Sequence, residues 1–114
     1  MGIIIREIEE KDFCEVTELL VNELWNNKVG SDYVIPFFDA VKNDENYITY
    51  VALLDDNVVG LVSAVTFLWA GSDKKHMMIQ GFAVKNEHQN KGVGTKLLLQ
   101  IRQTPTNGHN NAST

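Results

Sequence analysis

The sequence contains one cysteine, Cys14, so no disulfide can form within the chain, which fits a reducing cytoplasm. No run approaches the ~18 apolar residues of a membrane-crossing helix. The first six residues lack the long apolar stretch and small-residue cleavage site of a secretory signal. Positive charge is scarce: 10 Lys and Arg against 15 Asp and Glu leave a formal net charge of −5 and a pI near 5.0. An acidic chain repels phosphate backbones, which argues against general nucleic-acid binding. A local basic cluster can still hold one small anion. No internal repeat and no second domain is visible.

What remains is an ordinary globular composition. The 114 residues are 44% apolar and 22% charged, enough for one domain with a single core and little to spare. Ile3, Ile4 and Ile5 form a β-branched first strand. Asp12 is placed to cap a helix, with Glu15 as its capping-box partner. Phe13, Val16, Leu20 and Leu24 follow at helical spacing, and Cys14 among them reads as a small core residue. Residues 26–30 end this helix. A second, short helix is expected over 36–42, with Pro36 in its first turn and Phe37, Phe38 and Val41 facing inward.

After a polar break at 43–46, Tyr47–Leu54 is rich in aromatic and β-branched residues and reads as a strand. A turn at 55–57 and a second strand over 58–69 complete a hairpin, in which Gly60 marks a bulge or a close backbone approach. A third strand covers 76–84. A final helix runs from Gly92 or Gly94 to about Gln103, burying Val93, Leu97, Leu98 and Ile101, and Thr104-Pro105 stops it. The polar stretch 104–114 is expected to be a disordered tail. Trp25 and Trp69 read as packing residues rather than ligand contacts. Strand, two helices, three strands and a helix make an α+β or mixed α/β pattern.

The segment with chemical content joins the end of the third hairpin strand to the last helix: Val84-Lys85-Asn86-Glu87-His88-Gln89-Asn90-Lys91-Gly92-Val93-Gly94-Thr95-Lys96. Its glycines let backbone N–H groups turn inward. The first amides of a helix have no intrahelical partner and lie at the positive end of its dipole, so the segment can cradle a pyrophosphate. Lys91 and Lys96 add local positive charge. Leu97 stands where a dinucleotide fingerprint needs its third glycine, and Gly94-Thr95-Lys96 has the wrong order for a P-loop. On spacing alone, a glycine turn ahead of a packing helix is an equal alternative.

Gln89-Asn90-Lys91-Gly92-Val93-Gly94 resembles the Gln/Arg-x-x-Gly-x-Gly/Ala signature of the GNAT N-acetyltransferase superfamily. It follows a strand ending Phe82-Ala83-Val84 and opens an apolar helix, as the family's motif does. The likeness extends over residues 3–102, with 79–98 the specific part. It implies a GNAT-like acyl-CoA N-acyltransferase fold, represented by its N-terminal part over 1–103. Backbone amides of Gln89, Asn90, Lys91, Gly92, Val93, Gly94 and Thr95 would bind the pyrophosphate of acetyl-CoA. Backbone groups of Phe82, Ala83 and Val84 would pair with the pantetheine arm. An amine acceptor of a small molecule or peptide would attack the thioester directly, its oxyanion held by a backbone N–H near Val84.

Two departures from the family pattern follow. Where many members carry a glutamate base on the fourth strand, this sequence has Gln80, and an amide cannot accept a proton at neutral pH. The base is therefore unassigned, with Glu23 and His76 as candidates; no metal site is assigned. The family also continues past this helix, so a shortened gene, a frameshift or a partial chain is expected. The strand 76–84 would then be an apolar edge, and such edges recruit partners; a homo-oligomer is expected. Three readings result: an N-acetyltransferase, a non-catalytic CoA-binding or dimerisation module derived from one, and a remnant without ligand.

Overall fold

The computed structural model describes residues 2–23, 31–68, 70–71, 75–89 and 91–104, with the backbone alone at 31–33. Strand β1 (Ile4–Glu7) leads to α1 (Phe13–Glu23) and α2 (Ser31–Val41). Then come β2 (Tyr47–Leu54), β3 (Asn57–Leu68), β4 (Lys75–Val84) and α3 (Val93–Gln103). The strands form one antiparallel sheet in the order β1-β2-β3-β4. The expected order of elements is the observed one, an α+β architecture.

Helices cover both faces of this sheet. On one face Phe13, Val16, Leu19 and Leu20 of α1 and Val34 and Phe38 of α2 pack on Val51, Leu53, Leu61 and Ala83. On the other, Val93, Leu97 and Ile101 of α3 pack on Tyr50, Ala52, Val59, Val62 and Val84. Central β3 is therefore buried almost continuously instead of alternating, the pattern of a strand covered on both sides. Leu97 and Val62 have no exposed surface. Burying an aliphatic side chain of this size contributes about 1.5–3 kcal/mol, so the stripe on α3 is what holds the helix start in place.

Gly60 fulfils both halves of its expectation. The β2–β3 register shifts opposite Ala52 and Leu53, which puts Val59 and Gly60 on the same face. A Cβ on Gly60 would stand 3.0 Å from Val93 Cγ1 and 3.1 Å from Leu97 Cδ1. The glycine lets α3 lie close against the sheet. The hairpin turn at Asp55 and Asp56 has φ of 52° and 68°, the left-handed pair that suits the twist of a two-residue hairpin.

Four local expectations are corrected. Asp12 is not the first cap: the helical path begins one turn earlier, with a 3-10 turn at Glu10–Asp12. There the Asp12 carboxylate accepts the Glu9 N–H at 2.8 Å and takes both guanidinium nitrogens of Arg6 at 2.7 and 2.9 Å. Glu15 instead accepts the Val58 N–H at 3.2 Å. The second helix starts at Ser31 and carries Pro36 inside it, because Val34 and Phe38, four residues apart, anchor one face in the core. Phe37, about 100° round the helix from Phe38, is 39% exposed and meets the Tyr47 ring edge-on at 5.9 Å. Cys14, on the outer side of α1, is exposed. Leu24, Trp25, Trp69, Asn90 and residues 105–114 lie outside the described residues.

Candidate cofactor cleft

The end of β4 and the start of α3 diverge around a cleft of about 380 Å³ lined by Glu23, Phe82, Ala83, Val84, Gln89, Gly92, Gly94 and Thr95. Its floor is strand: Ala83 and Val84 are buried, while Phe82 is 38% exposed. Among the described residues β4 is hydrogen-bonded to β3 alone, so one side of its backbone faces outward at the cleft.

The connection from β4 to α3 is braced at several points. The Lys85 N–H bonds the Val59 carbonyl at 2.8 Å, and the His88 N–H closes a 3-10 turn onto the Lys85 carbonyl at 2.8 Å. The Gln89 side-chain amide donates to the Val84 carbonyl at 3.1 Å, so the motif's first residue ties its own loop to the strand it follows. Gly92 then adopts φ +82° as the residue before the helix, a left-handed conformation that favours glycine.

The first helical bond of α3 runs from the Lys96 N–H to the Gly92 carbonyl at 3.0 Å. The N–H groups of Val93, Gly94 and Thr95 precede it and have no intrahelical acceptor. Gly92 supplies no capping side chain, and no acidic residue lies in the first turn. The first turn itself thus supplies no anion to the positive end of this helix dipole, which opens on a cleft that the acidic Glu23 also lines. An anion placed there would be stabilised by about 0.3–1 kcal/mol from the dipole alone, with direct amide hydrogen bonds adding to it.

Of the residues singled out in the sequence, the fold brings Phe82, Ala83, Val84, Gln89, Gly92, Gly94 and Thr95 to one cleft. Val93 turns its side chain into the core and can offer only its backbone. Lys91 and Lys96 are exposed. Glu23, at the end of α1, lines the same cleft. His76 does not: it sits near the start of β4, paired with Phe67 at a ring distance of 6.0 Å, at the far end of the strand from Val84. Gln80 is the unpaired residue of a β4 bulge, where the register passes from Ser63↔Gly81 to Ala64↔Ile79. Sequence reasoning counted Phe82 for its backbone only and missed the side-chain bond of Gln89; neither has a spacing signature.

Among the described residues no helix is long and apolar enough to cross a membrane, and no group of three or more His, Cys, Asp or Glu side chains could hold a metal ion.

Comparison with known proteins bears on this cleft. The family described as acetyltransferase (GNAT) matches residues 5–105. No curated protein matches the chain. Among solved structures, an aminoglycoside acetyltransferase from an uncultured soil metagenomic sample, in complex with trehalose, superposes with a TM-score of 0.76 at 25% identity, over 89% of this chain and 68% of its own. An aminoglycoside N-acetyltransferase in complex with CoA superposes at 0.81 with 18% identity, over 99% of this chain and 77% of its own. A transcriptional regulator from Bacillus halodurans C-125 gives 0.76 at 20% identity, over 87% and 71%.

Proposed function

This chain belongs to the acetyltransferase (GNAT) family, and on that premise we propose that it binds acetyl-CoA in the β4–α3 cleft and transfers the acetyl group to an amine of a small molecule or peptide. The observation that carries the reading is the uncapped first turn of α3 beside the outward-facing backbone of β4. Its amides offer hydrogen bonds to a pyrophosphate, and the strand edge offers donors and acceptors to an extended amide-bearing arm. Phe82, Ala83, Val84, Gln89, Asn90, Lys91, Gly92, Val93, Gly94 and Thr95 form the cofactor site in this reading.

In the transfer step the acceptor nitrogen forms a bond to the thioester carbonyl carbon. The tetrahedral oxyanion is stabilised by a backbone N–H near Val84. The carbon–sulfur bond then breaks, and CoA departs as thiolate. The amine must shed a proton. We assign that proton to the Glu23 carboxylate because Glu23 lines the cleft, whereas Gln80 cannot accept it. Aminoglycosides head the panel of acceptors to test, because two of the similar structures are aminoglycoside acetyltransferases. We further place the protein in the cytoplasm as a homo-oligomer joined along β4, whose Met78 is 50% exposed.

The second reading, a CoA-binding module without turnover, is favoured by Gln80 alone. Calorimetric titration with acetyl-CoA and a thiol-release assay across an amine panel separate the two. Binding with release supports the enzyme, and binding without release supports the module. Gly92→Glu, which places a carboxylate beside the free amides and a side chain at φ +82°, should abolish binding. If the unaltered protein shows no heat of binding, or Gly92→Glu binds as well as it does, the cleft is not the site.

A further inference from the structure

The two glycines of the motif do different work. Gly92 is left-handed, and a Cβ there would meet nothing within 4 Å. Gly94 is not among the glycines with positive φ, so its backbone would accept any L-residue. It also lies in the first turn of α3, where glycine is a poor helix former. The space it leaves is nevertheless used. A Cβ at 94 would stand 2.9 Å from Phe82 Cζ, closer than such atoms approach, whereas Phe82 Cε2 at 3.7 Å and Val84 Cγ2 at 3.8 Å are in ordinary contact. The Phe82 ring leans on the bare Cα of the helix's second residue and at the same time forms part of the cleft wall. It is not locked in the core, so a side chain at 94 would displace it instead of breaking the fold, and the open cleft lies beside it.

We propose that Phe82 is a positioning residue of the cofactor cleft: its ring, seated on Gly94, holds the cleft wall away from the helix amides and dictates glycine at position 94. The inference rests on the reading that this cleft takes acetyl-CoA. Its content is that Phe82 and Gly94 act on binding as a coupled pair, not as two independent contacts.

The test is a double-mutant cycle with Gly94→Ala, Phe82→Leu and the combination, each titrated with acetyl-CoA and melted without ligand. Leucine lacks the ring atoms that would collide. Gly94→Ala should weaken binding by about tenfold, within the coupling range of residues in contact, with little change in melting temperature. The double variant should bind more tightly than Gly94→Ala alone. If Gly94→Ala does not fold, the comparison is between Phe82→Leu and the double variant: a recovered circular dichroism spectrum with acetyl-CoA bound equally by the two supports the proposal, and absence of recovery overturns it. Additive effects, or a loss confined to melting temperature with Kd unmoved, also overturn it, since the contact would then be ordinary packing. Failure of the unaltered protein to bind removes the cofactor reading itself, a different result from binding without coupling.

Discussion

Replacing Gly60 by alanine tests whether α3 is held at the separation the sheet allows. The added methyl would lie 3.0 Å from Val93 Cγ1 and 3.1 Å from Leu97 Cδ1, with the Ala83 carbonyl oxygen at 3.4 Å. Val93 and Leu97 are buried, so neither can rotate into solvent, and α3 must yield by a few tenths of an ångström. Overpacking of this kind costs about 1–3 kcal/mol. Against it stand about 0.4–1 kcal/mol from the reduced freedom of the unfolded chain and about 0.8 kcal/mol for one buried methyl group. At the middle of these ranges the net expectation is a loss of about 0.5 kcal/mol, which lowers the melting temperature by about 2–4 °C in a domain near this size. Thermal and urea unfolding followed by circular dichroism would measure it. Gly2→Ala is the control, because a Cβ there meets nothing within 4 Å. Val93→Ala should cost less in the Gly60→Ala background than in the parent, because it removes the methyl groups that the added one crowds. A Gly60→Ala protein more stable than the parent by about 1.5 kcal/mol, the sum of the two favourable contributions with no overpacking cost, would refute the close approach of α3 to β3.

The Arg6–Asp12 pair links stability to acid. Burial pushes the Asp12 carboxyl up, but the hydrogen bonds from Arg6 and the Glu9 amide, with the charges of Arg6 and Lys11, outweigh it and hold the group below its ordinary value. A depressed carboxyl contributes stability above its unfolded pKa of about 3.9, and that contribution is lost as pH falls through the lower folded value. Urea midpoints should therefore drop below about pH 4, and Asp12→Asn should flatten that drop while costing about 1–3 kcal/mol at neutral pH; parallel acid profiles would count against the pair. In the hairpin turn, Asp56→Gly relieves a residue at φ 68° and should raise stability by about 0.5–1 kcal/mol, read from the same midpoints, with no gain contradicting the turn geometry. Gly92→Ala should cost about 1–2 kcal/mol of helix-start stability through its left-handed φ and weaken acetyl-CoA binding, measured by melting and calorimetry; unchanged melting would show that another conformation serves there.

Much of the fold was legible in the linear pattern, for reasons that are local. Tyr47–Leu54 was bounded to the residue, because a run of aromatic and β-branched side chains between polar breaks has few other ways to fold. Of the expected stripe Val93, Leu97, Leu98 and Ile101, which announced the last helix, the structure buries all but Leu98, which is only half-buried. The Gln89–Gly94 signature located the cleft, since a strand end, a glycine turn and a helix start must adjoin when they are adjacent in sequence.

What stayed hidden depends on partners distant in the chain. Pro36 resembles a helix start until Val34 and Phe38 are seen anchored in a core supplied by α1 and the sheet. Asp12 looks like a cap until Arg6 arrives from β1. Glu15 looks like its box partner until the Val58 amide, on another strand, takes that carboxylate. The residue types and their spacing determined which elements form and where an anion could sit. Only tertiary packing decided that Glu23 shares that cleft while His76 does not, and that Gly94 serves a phenylalanine ring, because distances between elements are set by how side chains fill the space between them, and no local pattern encodes that space.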